Sequence, residues 1–295
     1  MQTDTPTRPQ RRIGQFSVSA IGLGAMPLSF KDPLPSDEQS DATIHAALDA
    51  GITLVDTADI YAPSWDTMGH NEQRVARALS SWSGDRDSIV VATKGGITRS
   101  QGNVWGRNGS PEYLRQAVEN SLRNLGVDVI DLYYWHRPDR HRLYADCVQV
   151  FADLKAEGKI KEIGISNANV EEIEVALEVL GEGGLAAVQN EFSLRFHHTS
   201  MNELRFCAEH DIAFLPWSPL GGSGGAKEVG GAFPVVRQIA DERGVSPQQV
   251  VLAWQLSLAE QVIPIPGASR PESIVDSAEA MTLELTADEL ERLHL

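Results

Sequence analysis

Short apolar runs, many of them β-branched, recur along the chain. They alternate with longer stretches in which apolar positions return every three or four residues. The short runs fall at 19–22, 53–56, 89–93, 129–136, 163–166, 187–189, 213–217 and 262–265, and their length and polar boundaries predict strands. Between them, Ile44, Ala47 and Leu48 share one helical face. So do Leu114, Ala117, Val118 and Leu122, and then Val148, Phe151 and Leu154. Gly51, Gly126 and Gly158 follow three of these helices where a left-handed cap is wanted. Ser110-Pro111 and Ser246-Pro247 each supply an N-cap followed by proline at the first helical position, and Gln249 is spaced to complete a capping box.

Eight strand–helix alternations without a break predict a parallel sheet with helices outside it. A doubly wound sheet is the rival arrangement, but it lacks its fingerprint: in Gly22-Leu23-Gly24-Ala25-Met26-Pro27 the third glycine is replaced by proline. The expected fold is therefore an α/β (β/α)8 TIM barrel, a single domain over 12–295, after a flexible tail at 1–11. Residues 12–18, with Gly14 at the turn, predict a short N-terminal hairpin. The glycine-rich stretch 221–225 is too short to separate domains.

The 295 residues, 42% of them hydrophobic, suffice for a large core, and barrels of about 250 residues form one domain. A formal net charge of −16 disfavours nucleic acid and anionic membranes, which need clustered positive charge. It also requires any anionic cofactor to be held by local cations or helix N-termini. Cys147 and Cys207 suggest no disulfide framework and read as reduced thiols. With no signal-peptide pattern and no apolar stretch near ~18 residues, a cytoplasmic protein is expected.

In such a barrel, chemistry collects at the C-terminal ends of the strands. Asp56 and His136 end two of the apolar runs, Lys94 directly follows a third, and Tyr61 lies in the loop five residues beyond Asp56. One such residue reads as a strand-end cap; four at one rim are harder to explain that way. Carbonyl reduction needs a hydride at carbon and a proton at oxygen. A tyrosine, with its ordinary pKa near ~10, is a weak donor that a neighbouring lysine favours as phenolate. A carboxylate keeps the lysine charged, and a histidine orients the carbonyl oxygen. No metal is required.

The set Asp56, Tyr61, Lys94 and His136 resembles the catalytic tetrad of the aldo-keto reductase superfamily. The words around it agree: Gly51-Ile52-Thr53-Leu54-Val55-Asp56-Thr57-Ala58, then Tyr61, is similar to that family's segment. The likeness runs from about Arg12 to the C-terminus. It implies Tyr61 as general acid, Lys94 and Asp56 as its tuning pair and His136 as the orienting residue. It also implies a nicotinamide cofactor near Gly24, Ala25, Met26 and Asp56, with Ser166, Asn167 and Gln189 on its carboxamide and Trp217 stacked on its ring. Ser218, Pro219, Leu220 and Gly222 belong to the implied pyrophosphate segment, and residues 221–232 resemble the loop that covers the cofactor.

The segment Ile265-Pro266-Gly267-Ala268-Ser269-Arg270 resembles the family's adenosine-phosphate segment and precedes a helix start, where backbone N–H groups meet anions. Gly267, Ser269 and Arg270 are thus implied, and Arg270 suits a 2′-phosphate, favouring NADPH over NADH. The family's following Glu-Asn pair reads Asp276-Ser277 here, leaving Asp276 as the adenine-side candidate. For the substrate, Met26, Phe30, Trp65, Trp105 and Trp135 suggest an aromatic-walled pocket. Small aldehydes, pyridoxal-like aromatic aldehydes and sugar-derived carbonyls all fit it, and residues 62–70 suit a lid. The expected activity is reversible, NADPH-dependent reduction of aldehydes or ketones. The alternative is a cofactor-binding sensor or partner subunit without turnover. A metal-dependent hydrolase lacks converging His and carboxylate ligands. A short-chain reductase would carry its Tyr and Lys four residues apart on one helix.

Overall fold

The computed structural model describes residues 8–30, 32–222 and 224–293, so most of the predicted tail lies outside the described residues. The strands are β1 (Gln10–Ile13), β2 (Phe16–Ser19), β3 (Leu23–Gly24), β4 (Leu54–Asp56), β5 (Val90–Gly95), β6 (Ile97–Ser100) and β7 (Val104–Arg107). They continue with β8 (Ile130–Trp135), β9 (Ile160–Ser166), β10 (Ala187–Gln189) and β11 (Ala213–Phe214). Seven of them form one parallel sheet in the order β11-β10-β9-β8-β5-β4-β3. The run 262–267 closes it: Val262 bridges Phe214 and Gly267 bridges Gly24. Gly22 and Gly24 donate to the carbonyls of Pro264 and Pro266 at 2.9 and 3.0 Å. This eighth strand stays irregular because Pro264 and Pro266 bring no N–H to a ladder. The result is the (β/α)8 barrel.

Two local differences from the sequence expectation have simple causes. Residues 19–22 are not the first barrel strand: Ser19 pairs with Gln10 in the β1–β2 hairpin, and the barrel begins with β3. The hairpin itself starts at Gln10, two residues earlier than expected. Its Arg11 is tied to the barrel underside, donating to the carbonyls of Ala259 (2.6 Å), Leu256 (2.7 Å) and Val262. Gly14, at φ 53°, makes the turn, where an added Cβ would meet the Glu162 carboxylate at 2.5 Å.

Alternation along each strand sorts the side chains into two layers. Leu54, Val90, Ala92, Leu132 and Tyr134 fill the barrel, together with Ile13 and Val18 from the hairpin. Val55, Val91, Tyr133 and Trp135 face outward into the larger core shared with the helices. Ser110 and Ser246 cap their helices, accepting from Tyr113 N and Gln249 N. The Gln249 side chain does not complete a capping box; it reaches Asp276 on the neighbouring helix at 2.7 Å.

Candidate active site

β4 ends on Asp56 and β5 carries Lys94 one residue from its end, so both point into the barrel mouth. Lys94 Nζ donates to Asp56 Oδ1 at 2.5 Å and to the Thr57 carbonyl at 2.8 Å, and lies 3.5 Å from the Tyr61 hydroxyl. Gln189 Nε2 donates to the other oxygen, Asp56 Oδ2, at 2.9 Å. His136 stands opposite, its ring edge-on to Tyr61 with centroids 5.7 Å apart. All four expected residues converge within one small volume, and Lys94 is fully buried.

Burial sets the charges. It opposes the ammonium of Lys94, yet Asp56 and Tyr61 together overcome it and hold Lys94 above its ordinary value. Burial lifts the Asp56 carboxyl, checked by Lys94 and Gln189. For Tyr61, burial outweighs Lys94, and the hydroxyl titrates above its ordinary value. Lys94 acts on the tyrosine in the expected direction, favouring the phenolate, while desolvation, Asp56 and Asp59 act against it. His136 is driven well below the usual imidazole range, by burial first and then by Lys94 and Arg137. It is a neutral ring.

Across the sequence, the Aldo/keto reductase family model matches residues 20–294. The chain belongs to the aldo/keto reductase family. As a member it is an oxidoreductase that works with a nicotinamide cofactor. It is 31% identical to an uncharacterized oxidoreductase of Schizosaccharomyces pombe, over 96% of this chain and 88% of that one. It is 32% identical to a probable aldo-keto reductase of Glycine max, over 94% and 85%. A Klebsiella pneumoniae aldo/keto reductase, solved in complex with NADP and acetate, superposes with a TM-score of 0.79 at 29% identity, covering 97% of this chain and 94% of its own.

The residues expected around the cofactor line one side of this reductase's mouth. Ser166 ends β9, its hydroxyl donating to the Gln189 carbonyl at 2.8 Å. Asn167, at φ 59°, turns its amide inward and donates to Ser166 Oγ (2.9 Å) and the His136 carbonyl (3.1 Å). Trp217 keeps a buried indole N–H without a partner among the described residues. Ser218, at φ 52°, opens the turn through Pro219 and Leu220, closed by Gly221 N donating to the Ser218 carbonyl at 2.8 Å. A Cβ on Gly222 would meet nothing nearer than Ser218 Oγ at 3.7 Å. The expected covering loop is in part a helix, Gly225–Ala232.

Across the mouth, Gly24 approaches Gly267 so closely that a Cβ on it would lie 2.8 Å from the Ile265 carbonyl. Ala25 is buried, its N–H on the Asp56 carbonyl at 2.8 Å, while Met26 is exposed. The Ser269 carbonyl accepts from Gln39 at 2.7 Å. Arg270 occupies the N-cap position of helix Pro271–Glu279, exposed and loosely held by Ser273 Oγ (3.3 Å) and Glu272 (3.5 Å). Asp276, the adenine-side candidate, also takes part in the helix packing. Its two oxygens already accept from Ser246 and Gln249 at 2.7 Å each, tying two helices together.

In the predicted pocket, Phe30 packs edge-on to Tyr61 at 5.8 Å and stacks on Trp105 at 6.0 Å. Trp65 lies in the 62–70 segment expected as a lid, its backbone N–H donating to Asn103 Oδ1 at 3.0 Å. Trp135 is a correction. It points away from the mouth, buried against Tyr144 and Phe151 with centroids 4.8 and 6.4 Å away. The period of two along β8 explains it: if His136 and Tyr134 face in, Trp135 must face out.

Three features went unread in the sequence. The β6–β7 hairpin rises over the mouth, signalled only by Gly102-Asn103 between β-branched residues. Arg99 from that hairpin donates to the Ala62 (2.6 Å) and Pro63 (3.2 Å) carbonyls and to Asn103 Oδ1 (3.1 Å), with its guanidinium 5.3 Å from Phe30 and 4.8 Å from Trp105. Buried Asn71 ties the Ala25 carbonyl (2.9 Å) to Ser29 Oγ (2.8 Å) while accepting from Thr57 Oγ1 (2.6 Å). Among the described residues no His, Cys, Asp and Glu cluster is arranged to hold a metal, and no helix is long and apolar enough to cross a membrane.

Proposed function

We propose that this protein reversibly reduces aldehydes or ketones to alcohols, preferring NADPH, with Tyr61 delivering the proton. The observation that carries this reading is the Tyr61 hydroxyl, 3.5 Å from Lys94 Nζ and faced by the neutral ring of His136. The cofactor has residues that suit it: a buried indole N–H at Trp217 lacking a partner among the described residues, amides of Asn167 and Gln189 at the mouth, and open space at Gly222. Bound there, a dihydronicotinamide supplies the hydride. The protein's own groups do the rest. His136, uncharged, donates an N–H that orients the carbonyl oxygen, and Tyr61 protonates that oxygen as charge develops on it. Lys94, held charged by Asp56, stabilises the phenolate left behind. Arg270 at a helix start suits the 2′-phosphate that distinguishes NADPH from NADH.

The test is loss of nicotinamide absorbance with aromatic and aliphatic aldehydes, using each cofactor in turn. Tyr61→Phe is expected to lower kcat by roughly a hundredfold or more while NADPH still quenches tryptophan fluorescence. Arg270→Ala is expected to weaken NADPH much more than NADH. Full activity in Tyr61→Phe would sink the assignment. Tight NADPH binding without turnover of any carbonyl would favour a sensor or partner subunit instead.

A further inference from the structure

Two arginines at the rim have no part in the chemistry above: Arg137, within electrostatic reach of Tyr61, and Arg107, within reach of Arg137. Arg137 directly follows His136 at the mouth end of β8 and is half-buried. Among the described residues its guanidinium has no hydrogen bond and no ion pair. Burial, and then the charge of Arg107, push its pKa below the ordinary guanidinium value, while Glu191 and Tyr61 act the other way. Arg107, the last residue of β7, bends over the loop after β8, its Nη1 donating to the Pro138 carbonyl at 3.3 Å.

Among the described residues no carboxylate makes an ion pair with either guanidinium, although Glu191 offsets part of the Arg137 charge. Asp139 is occupied, accepting from Gly109 N at 3.0 Å and His141 N at 3.2 Å, with Arg142 at 3.9 Å. Glu191 influences Arg137 but makes no ion pair with it. Within the barrel mouth Lys94 and Asp56 cancel, and His136 is neutral. The rim thus holds two guanidinium groups without ion pairs among the described residues, on a chain of net charge −16. Elsewhere carboxylates are found readily: Arg74 and Arg77 hold Asp37 and Asp41 at 2.9 Å, and Arg292 holds Glu242 at 2.9 Å. A partly desolvated guanidinium left unpaired costs stability unless something else supplies the anion.

We propose that Arg137, assisted by Arg107, receives a carboxylate or phosphate on the carbonyl substrate, so that acidic aldehydes or keto acids are the preferred class. The planar guanidinium suits a two-point contact with either group. This deepens the reductase reading and rests on it. The aromatic wall of Phe30 and Trp105 lies on the Tyr61 side, and the anion contact lies on the His136 side.

Matched pairs test it: para-carboxybenzaldehyde against its methyl ester, and glyceraldehyde phosphate against glyceraldehyde. In the wild type, kcat/KM is expected to favour the acid of at least one pair by roughly tenfold or more. The pair that shows this tells carboxylate from phosphate. In Arg137→Met the ratio is expected to fall to about twofold or less, with Arg137→Lys intermediate because it keeps charge without the fork. Binding of para-(hydroxymethyl)benzoate to the NADP-loaded protein, followed by tryptophan fluorescence, needs no turnover. If no carbonyl is reduced but this probe binds at least tenfold more weakly to Arg137→Met, the reductase reading fails and the anion site stands. Equal use of acid and neutral partner in both pairs overturns the proposal. So does an acid preference that survives both Arg137→Met and Arg107→Met. Without turnover, a probe that binds wild type and Arg137→Met alike, or neither, overturns it too.

Discussion

His136 is 9% exposed and faces Tyr61, so any proton on it would sit in a dry pocket already holding the ammonium of Lys94. Burial, Lys94 and Arg137 therefore all drive the proton off. The consequence for stability has a definite sign. Above about pH 6.5 the ring is neutral folded or unfolded and contributes no pH dependence. Below that, the unfolded chain takes up a proton that the folded one refuses, and stability falls by up to about 1.4 kcal/mol per pH unit until the depressed folded pKa is reached. His136→Asn removes this contribution. Denaturant unfolding of the two proteins is expected to give a stability difference that shrinks by about 1 kcal/mol from pH 6.5 to 5.5; parallel curves would count against a buried neutral ring. At this scale Asp56, Lys94 and His136 were legible because each falls at a strand's C-terminal end with the parity of inward residues, Leu54, Ala92 and Tyr134. Trp135 was misread for want of the same rule, since its neighbour had already claimed the inward position.

Among the elements, the β6–β7 hairpin does most to shape the mouth. Arg99 clasps three segments at once: the loop after β4 through the Ala62 and Pro63 carbonyls, the hairpin tip through Asn103, and the segment after β3 through the ring of Phe30. Arg99→Met removes those hydrogen bonds and the cation over two aromatic faces, about 1–3 kcal/mol of local order. The expected result is a roughly tenfold rise in KM for aromatic aldehydes, a much smaller change in kcat, and little change in cofactor binding. Steady-state kinetics would refute it if kcat fell as far as KM rose. The strands, the helices and the N-caps at Ser110 and Ser246 were readable from periodicity and capping chemistry. The hairpin was not, because β7 is exposed at every position and the buried face of β6 pairs the apolar Ile97 with the charged Arg99, which no apolar alternation reports.

Over the whole molecule, the two ends of the barrel are finished differently. The mouth is left polar, whereas the underside is closed by the β1–β2 hairpin with Ile13 and Val18 in the barrel core and Arg11 on three carbonyls. Arg11→Ala leaves those carbonyls without their donor and is expected to cost about 1–3 kcal/mol, read as a lowered denaturant midpoint; an unchanged midpoint would mean the hairpin merely rests on the barrel. The barrel itself was foreseeable from eight alternations and a missing dinucleotide fingerprint. Its closure was not, because it depends on which carbonyls two prolines present. Mechanically, the barrel is a ring whose final joint is its least redundant. Between 262 and 267 two of six residues have no amide to offer, and the joint with the first strand relies on Gly22 and Gly24 reaching across. When the ring is forced open, it is expected to part there first, as a hoop does at its splice, with the Gly22 and Gly24 amides the earliest to exchange with solvent.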